Sequence, residues 1–287
     1  MPLHSLDHVI IAVRELEPAT ETYAKLFGRA PSWRGEHPGQ GTANALFRLA
    51  NTYVELIAVT GQGGFARLIA RDLGDHGEGL IGMAFGTDDA DACAAELRAR
   101  GVAAADPVEG SGTDSRSGAK RRWRNVHWPA TASRGVLEFA IEHLSPADAL
   151  PAAALVAARE SAVEALDHVV VRSADPEATR ALYGESLGLR LALDRSFAER
   201  GVRLQFFRVG GVTVEVASAP AAPADPSASD RLWGLAWRVL DADAARARLL
   251  GAGFSVTPVR SGNKAGTRVC TVERDTCGVP TLLIAPD

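Results

Sequence analysis

Short apolar runs alternate along the chain with stretches in which apolar residues recur at helical spacing. Residues 8–13, 45–49 and 53–59 have strand length and are rich in β-branched and other apolar side chains. Residues 19–27 carry apolar side chains three and four positions apart, and Gly28 follows where a helix would end. The pattern predicts a strand, a helix and then two or three further strands.

The same order of elements is predicted a second time. Residues 82–87 have the pattern of a strand, and residues 90–100 that of a helix that ends at Gly101. Residues 123–128 and 136–141 are again apolar runs of strand length. We therefore predict two β-α-β-β-β modules in the first half of the chain.

The second half of the chain repeats the first. Residues 6–9, which are Leu-Asp-His-Val, recur at 166–169, and the pair Val-Glu at 54–55 recurs at 214–215, with the same offset. One offset that holds across both motifs indicates an internal duplication. The sequence thus predicts an α+β chain of four modules in two tandem domains.

The repeat also gives expected boundaries. We expect a first domain at residues 1–144 (modules at about 5–60 and 79–144) and a second at 164–287 (modules at about 165–218 and 230–287). Residues 145–163 contain prolines and an Ala-rich run, which predict a helical or loosely helical linker. Residues 218–229 are rich in Pro and Ala and should separate the third module from the fourth.

The charge and the cysteine spacing limit which classes of binding partner and which cellular compartment we expect. The formal net charge of -4 arises from 31 basic and 35 acidic residues spread along the chain, so no overall field attracts nucleic acid or an anionic membrane. Cys93, Cys270 and Cys277 lack Cys-x-x-Cys spacing, which favours a reducing compartment. The chain begins without a signal-peptide pattern and has no apolar run of membrane-spanning length. We expect a cytoplasmic protein with a small-molecule partner. The sequence leaves open whether the protein forms a homodimer.

With these motifs the sequence resembles the vicinal oxygen chelate superfamily, which includes glyoxalases, bleomycin-resistance proteins and extradiol dioxygenases. The resemblance covers roughly residues 5–144 and 165–285 and is carried by Leu-Asp-His-Val at 6–9, Tyr-Val-Glu-Leu at 53–56 and Gly-Val-Leu-Glu at 135–138. It implies that paired modules form curved mixed sheets around a cleft. It does not fix the reaction, because the superfamily holds isomerases, lyases, dioxygenases, epimerases and metal-free binding proteins.

The resemblance also implies a metal site on the strands that line the cleft. His8, Glu55 and Glu138 match three ligand positions, and the position usually held by a second His is Gly82. Alternate residues of a strand face the same side, so such side chains could converge on one divalent ion, namely Zn, Ni, Fe or Mn. The alternative is structural: His8 caps a strand, and the carboxylate of Glu55 faces solvent.

In the second half the implied metal site is incomplete. His168 and Glu215 match, but Gly234 occupies the His position, and Thr281 or Leu282 replaces the last carboxylate. We expect this half to be mainly structural and to hold no metal.

Two further stretches carry candidate substrate-binding residues. Residues 32–47 combine aromatic, basic and Gly residues, and residues 120–124 are basic with an interleaved Trp. The candidates are Trp33, Arg34, His37, Asn44, Arg122, Arg124 and His127. We expect both stretches to border the cleft. The alternatives are a Gly-rich hairpin whose Trp33 packs on the core and a solvated basic edge.

These residues are compatible with two functions. In the first, an enzyme of lyase, isomerase or dioxygenase type uses a divalent metal as a Lewis acid on a small carbonyl or carboxylate compound, with Glu138 or Glu55 as the base. In the second, the protein binds or sequesters a small molecule without metal, and His8, Glu55 and Glu138 are hydrogen-bonding groups of its pocket.

Overall fold

A computed structural model describes residues 2–37, 39–219, 225 and 227–287. The chain forms two mixed eight-stranded sheets, one in each half. The predicted α+β architecture of two tandem domains is confirmed.

In the first half, the described residues form eight strands and three α-helices. The strands are β1 (Ser5–Ala12), β2 (Trp33–His37), β3 (Thr42–Arg48), β4 (Tyr53–Val59), β5 (Gly79–Gly86), β6 (Val108–Thr113), β7 (Lys120–His127) and β8 (Leu137–His143). The helices are α1 (Leu16–Phe27), α2 (Gly64–His76) and α3 (Ala90–Ala99).

The described part of the second half has eight strands and two α-helices. Its strands are β9 (Ala165–Arg172), β10 (Arg190–Phe197), β11 (Val202–Val209), β12 (Val212–Ser218), β13 (Arg231–Arg238), β14 (Arg260–Ser261), β15 (Thr267–Val272) and β16 (Thr281–Pro286). The helices are α4 (Pro176–Ala181), which continues into a π-helical turn at Leu182–Ser186, and α5 (Ala242–Gly251).

The strand order shows how the modules pair. The sheets run β2-β3-β4-β1-β5-β8-β7-β6 and β10-β11-β12-β9-β13-β16-β15-β14. The first strands of two modules lie side by side and antiparallel at the centre of each sheet, so that His8 is opposite Ala84 and His168 is opposite Ala236. The first module therefore pairs with the second, and the third pairs with the fourth.

One face of each sheet packs into a hydrophobic core shared by both halves. Residues of α1, α3 and α5 contribute to this core, and the Phe27 ring lies 4.9 Å from that of Trp237, centroid to centroid. The Asp residues that precede α3, α4 and α5 accept hydrogen bonds from backbone N–H groups in the first turn, which stabilises the start of each helix. Because only one face of each sheet packs into the shared core, the opposite face is left to form a cleft.

Helix α2 is absent from the predicted modules. Its Ile69 and Leu73 are buried against Ile10 and Ile57, on the face of the first sheet that points away from the shared core. The helix thus covers one end of the first cleft.

The predicted linker is mostly irregular. It contains only two 3₁₀ turns, Ala147–Ala149 and Arg159–Ser161, and Arg29 fixes it by donating hydrogen bonds to the carbonyls of Val163 (2.6 Å) and Ala153 (2.8 Å). The connector predicted at 218–229 lies partly outside the described residues.

The two outer strands of the first sheet approach each other. Gly35, on β2, forms an isolated β-bridge with Asp114, just after β6, and the Asp114 carboxylate accepts a hydrogen bond of 2.8 Å from the Arg34 backbone N–H. In the described part of the second half no bridge joins β10 to β14, which is only two residues long. The first sheet is therefore nearly closed, and the second stays open. Among the described residues, no helix has the length and apolar character needed to cross a membrane.

Candidate functional site

The first cleft contains a cavity of about 630 Å³. Strands from both modules and α2 line it, and five of its side chains are aromatic: Trp33, Tyr53, Phe65, Trp123 and Phe139. Its polar lining includes His8, Asn44, Glu55 and Asn125. A volume of this size suits a small organic molecule.

Asp7, His8 and Glu55 form a polar chain beside the cavity. The His8 Nδ1 lies 2.7 Å from Asp7, and its Nε2 lies 3.7 Å from the Glu55 carboxylate. Asp7 also contacts His143 Nε2 at 2.9 Å. Burial opposes the ionisation of Asp7, but the hydrogen bonds from His143 and His8 outweigh it and hold the pKa of this carboxyl well below its usual range.

The charge of Asp7 orients the imidazole. An ionised carboxylate can only accept hydrogen bonds, so His8 Nδ1 donates, and Nε2 is the nitrogen left facing Glu55. The ring is held on the Tyr53 ring, with which it stacks at 4.4 Å, and by the edge of Phe139. His8 Nε2 and the Glu55 carboxylate therefore lie near each other at the cavity wall, as a pair of polar groups that a ligand can contact.

Two amide side chains bring unused hydrogen-bonding capacity to the cavity. Asn44 donates a hydrogen bond of 2.7 Å to Glu55 through Nδ2, but its buried Oδ1 has no partner within the described residues. The Oδ1 of Asn125 is also buried without a partner there. Buried polar atoms are nearly always hydrogen-bonded, so both oxygens are unsatisfied acceptors on residues that line the cavity.

Strand β7 presents a basic and aromatic face to the cavity. Arg121, Trp123, Asn125 and His127 line it, as expected for alternate residues of one strand. Arg121 is 6% exposed, and its guanidinium carbon lies 5.5 Å from the ring centroids of Trp33 and Tyr53 and 5.9 Å from that of Trp123.

Glycines opposite β7 make room for these large side chains. Gly112 is paired with Arg121, and Gly110 is paired with Trp123 across the β6–β7 ladder. A Cβ added to Gly110 would lie 2.3 Å from the Trp123 indole nitrogen, so a larger residue would displace the indole.

The alternation of β7 corrects the expectation for Arg122 and Arg124. Both are absent from the cavity lining, and they form ion pairs instead: Arg122 with Glu109 at 3.2 Å, and Arg124 with Asp91 at 2.8 Å. The expected stretch borders the cleft, but through its odd-numbered residues. Strand alternation from the candidate His127 would have selected these residues, because those two, four and six positions before it lie on the same face.

Glu138 is also on the wrong face for its expected role as ligand or base. It is 1% exposed and accepts a hydrogen bond of 2.7 Å from the Tyr183 hydroxyl of the second half. Burial raises the pKa of Glu138 to about 8, against the opposing effect of that hydrogen bond. The neighbouring Phe139 faces the cavity, so the expected convergence of His8, Glu55 and Glu138 is wrong.

The remaining candidates divide between the two faces of the first sheet. Trp33, His37 and Asn44 line the cavity, as do His8, Glu55 and His127. Arg34 does not: its guanidinium pairs with Glu17, beside α1. Arg121 and Trp123, which belong to the stretch 120–124 expected to border the cleft but were not named as candidates, also line the cavity, as does Tyr53.

The donor set does not fit a divalent metal site. Among the described residues, no three or more His, Cys, Asp or Glu side chains are grouped so that they could hold an ion. Of the expected ligands, only His8 and Glu55 face the cavity, and one oxygen of Glu55 already accepts a hydrogen bond from Asn44. Across the sheet from His8, the next two strands carry Ala84 and Phe139. Catalytic zinc sites ordinarily have three protein ligands.

The second cleft retains the polar chain but not its surroundings. His168 Nδ1 lies 3.0 Å from Asp167, and Nε2 lies 3.7 Å from Glu215, almost as in the first half. Leu282 is the counterpart of Phe139, and Thr213 pairs with His168 as Tyr53 does with His8. This face opens into a groove of about 1450 Å³ that runs between the second sheet and α2.

Comparison with protein families accounts for this architecture. A model of the glyoxalase-like domain matches residues 6–187, which is more than half of the chain. The chain belongs to the glyoxalase-like domain family. A second model, described as the glyoxalase/bleomycin resistance protein/dioxygenase superfamily, matches residues 167–271 of this glyoxalase-like chain. No curated protein sequence matches it.

Solved structures share the fold over the whole length of this glyoxalase-like chain. A variant of 4-hydroxymandelate synthase from Streptomyces coelicolor aligns over 100% of this chain and 94% of its own, with a TM-score of 0.71 and 16% identity. A hypothetical protein from Staphylococcus aureus aligns over 97% and 98%, with a TM-score of 0.65 and 11% identity. At such identities the likeness shows the fold alone.

Proposed function

We propose that the first cleft binds one small planar organic molecule between its aromatic walls, without a metal held by His8 and Glu55. The observation that carries this proposal is the cavity itself, which combines five aromatic side chains with two buried amide oxygens that have no partner among the described residues. Flat rings pack well against aromatic side chains, and the amide oxygens of Asn44 and Asn125 accept hydrogen bonds from O–H or N–H groups of the bound molecule.

Ligand-observed NMR with 2-naphthol and indole tests this proposal, since both are planar and carry one donor. We expect saturation transfer to these molecules from the unaltered protein and little from Asn125→Phe, whose ring would occupy the cavity. Thr271→Phe is the matched control, because it adds the same ring to the corresponding strand of the second half. Equal transfer from Asn125→Phe and the unaltered protein would contradict the proposal.

The metal-free part of the proposal has its own test. Elemental analysis of protein purified without chelator is compared with the same measurement on His8→Ala. We expect no stoichiometric divalent metal that depends on His8, because two protein donors hold such an ion weakly. A stoichiometric metal that is lost in His8→Ala would overturn this part.

A second candidate function is proton transfer on the bound molecule. The arrangement of Asp7, His8 and Glu55 supports it, since a charged Asp on Nδ1 fixes the imidazole tautomer whose Nε2 is free to accept a proton. The expected activity is exchange of a C–H proton next to the carbonyl of a small 2-oxo acid.

Proton NMR of pyruvate in D₂O measures this exchange. We expect a rate above that of buffer, reduced by about 100-fold or more in His8→Gln and in Glu55→Gln, as is usual on loss of a general base. Glu215→Gln, in the second cleft, should retain the full rate. Exchange that is unaffected by His8→Gln would exclude this chemistry at the site.

A further inference from the structure

We infer that Arg121 binds the carboxylate of the molecule held in the first cleft, so that the ligand is a small aromatic carboxylic acid. This inference deepens the proposed function and rests on it. It concerns a side chain that no motif of the family resemblance includes.

Among the residues that the structure describes, the guanidinium of Arg121 has no ionic partner. Within the described residues, no carboxylate oxygen lies within 4.0 Å of it, although most of the other buried or half-buried Arg side chains bind carboxylates or backbone carbonyls. Three carboxylates line the same cavity, but Glu55 accepts a hydrogen bond from Asn44, Glu109 is paired with Arg122, and Glu36 lies on an exposed part of β2. A buried cation without a counter-ion is costly, and such a group commonly serves to bind an anion.

Neutral groups surround the guanidinium. Trp33, Tyr53 and Trp123 attract it through their rings, which holds it in place without cancelling its charge. Burial, followed by the charge of Asp7, raises the pKa of Tyr53 well above its usual value, so this hydroxyl stays neutral. Arg121 therefore has no counter-ion among the described residues and has N–H donors to offer a ligand.

A carboxylate fits this arrangement by shape as well as by charge. Its two oxygens match two parallel N–H groups of a guanidinium, and the aromatic walls accept the ring that bears it. The Tyr53 ring contacts both Arg121 and the polar chain of Asp7, His8 and Glu55. Its centroid is 4.4 Å from the His8 ring and 5.5 Å from the Arg121 guanidinium carbon. The His8 ring and the Arg121 guanidinium are thus no farther apart than the sum of these two distances. One aromatic acid can contact both.

Isothermal titration with 2-naphthoate and 2-naphthamide tests the inference. The two probes have nearly the same shape, and only the first carries a charge. We expect the unaltered protein to bind the naphthoate at least about tenfold more tightly, since a hydrogen-bonded charge is worth that much or more. In Arg121→Gln the preference should disappear, and in Arg121→Lys it should be reduced but retained.

Arg122→Gln is the matched control, because this neighbour faces away from the cavity and pairs with Glu109. It should keep the full preference. Circular dichroism and thermal unfolding establish that each variant is folded, and Arg121→Lys keeps the test decisive if Arg121→Gln does not fold. Equal affinity for the two probes, or a preference that survives in Arg121→Gln, overturns this inference while the proposed function stands. Absence of binding of both probes overturns both.

Discussion

The two clefts of this chain are built from one repeated unit, yet the first forms a cavity with aromatic walls and the second opens into a groove. Both retain the same polar chain, Asp-His-Glu, with nearly equal distances between its members. The difference lies in the edges and the walls. The bridge between Gly35 and Asp114 nearly closes the first sheet, and aromatic side chains fill its inside, whereas the second sheet is open at β14. A retained His and Glu do not by themselves make a site, because the surrounding strands determine whether a ligand is enclosed.

The largest expected difference between the halves concerns their tryptophans. Trp33 is buried in the first cleft, so we expect Trp33→Ala to lower the free energy of unfolding by about 3–5 kcal/mol and to abolish ligand binding. Trp233 is 41% exposed in the second half and stacks with Arg172 at 4.3 Å, so Trp233→Ala should cost less than about 1 kcal/mol. Urea unfolding measures both. Similar losses of unfolding free energy from the two substitutions would contradict the view that the first cleft is enclosed and the second is open.

The next largest effect tests Glu138, whose counterpart in the second half is Thr281. The folded-state pKa of Glu138 is about 8, above its usual value of 4.5. The protonated carboxyl therefore contributes its full stability below pH 4.5, and this contribution is lost as the pH rises towards and through 8.

Urea unfolding at pH 5, 7 and 9 measures this loss. We expect the unaltered protein to lose on the order of 3 kcal/mol more than Glu138→Gln between the lowest and the highest pH. Glu36→Gln, on an exposed part of β2, serves as the control and should follow the unaltered protein. Parallel pH profiles for the unaltered protein and Glu138→Gln would show that the carboxyl does not titrate in this way.

Glu138 shows how far the amino-acid pattern alone can predict the site. The repeat predicts the modules and their strands because its motifs return at one offset, and His8 and Glu55 lie in the cleft as expected. Residues 137–141 are apolar on both faces apart from Glu138, so their pattern does not tell which face points to the cleft. The family resemblance implied that Glu138 faces the cleft, whereas in the structure the next residue, Phe139, does.

Helix α2 escapes prediction from the sequence, and Arg121 is predicted only as part of a basic stretch, for different reasons. Helix α2 lies between the predicted modules, outside the repeat, and begins and ends beside glycines, which weaken a helical pattern. Arg121 stands in a run of four basic residues among five positions, and charge alone does not distinguish them. Only strand alternation, fixed by the pairing of β7 with β6 and β8, separates Arg121 from Arg122 and Arg124.

The smallest expected effect compares the two histidines. His8→Gln removes the imidazole that stacks on Tyr53 beside the cavity, and we expect it to weaken binding of 2-naphthoate by roughly tenfold, the loss of one good contact. His168→Gln changes the same residue of the open second cleft and should leave the affinity unchanged. Isothermal titration of both variants measures this. Equal weakening would mean that the halves share one ligand site.

The central claim is that one small aromatic acid binds in the first cleft and nowhere in the second. A crystal structure of the protein with 2-naphthoate tests it most directly. We predict the naphthalene ring between Trp33 and Trp123, with its carboxylate on the guanidinium of Arg121, and no naphthoate beside His168 and Glu215. Naphthoate in the groove of the second half, or in the first cleft with its carboxylate turned away from Arg121, would contradict it.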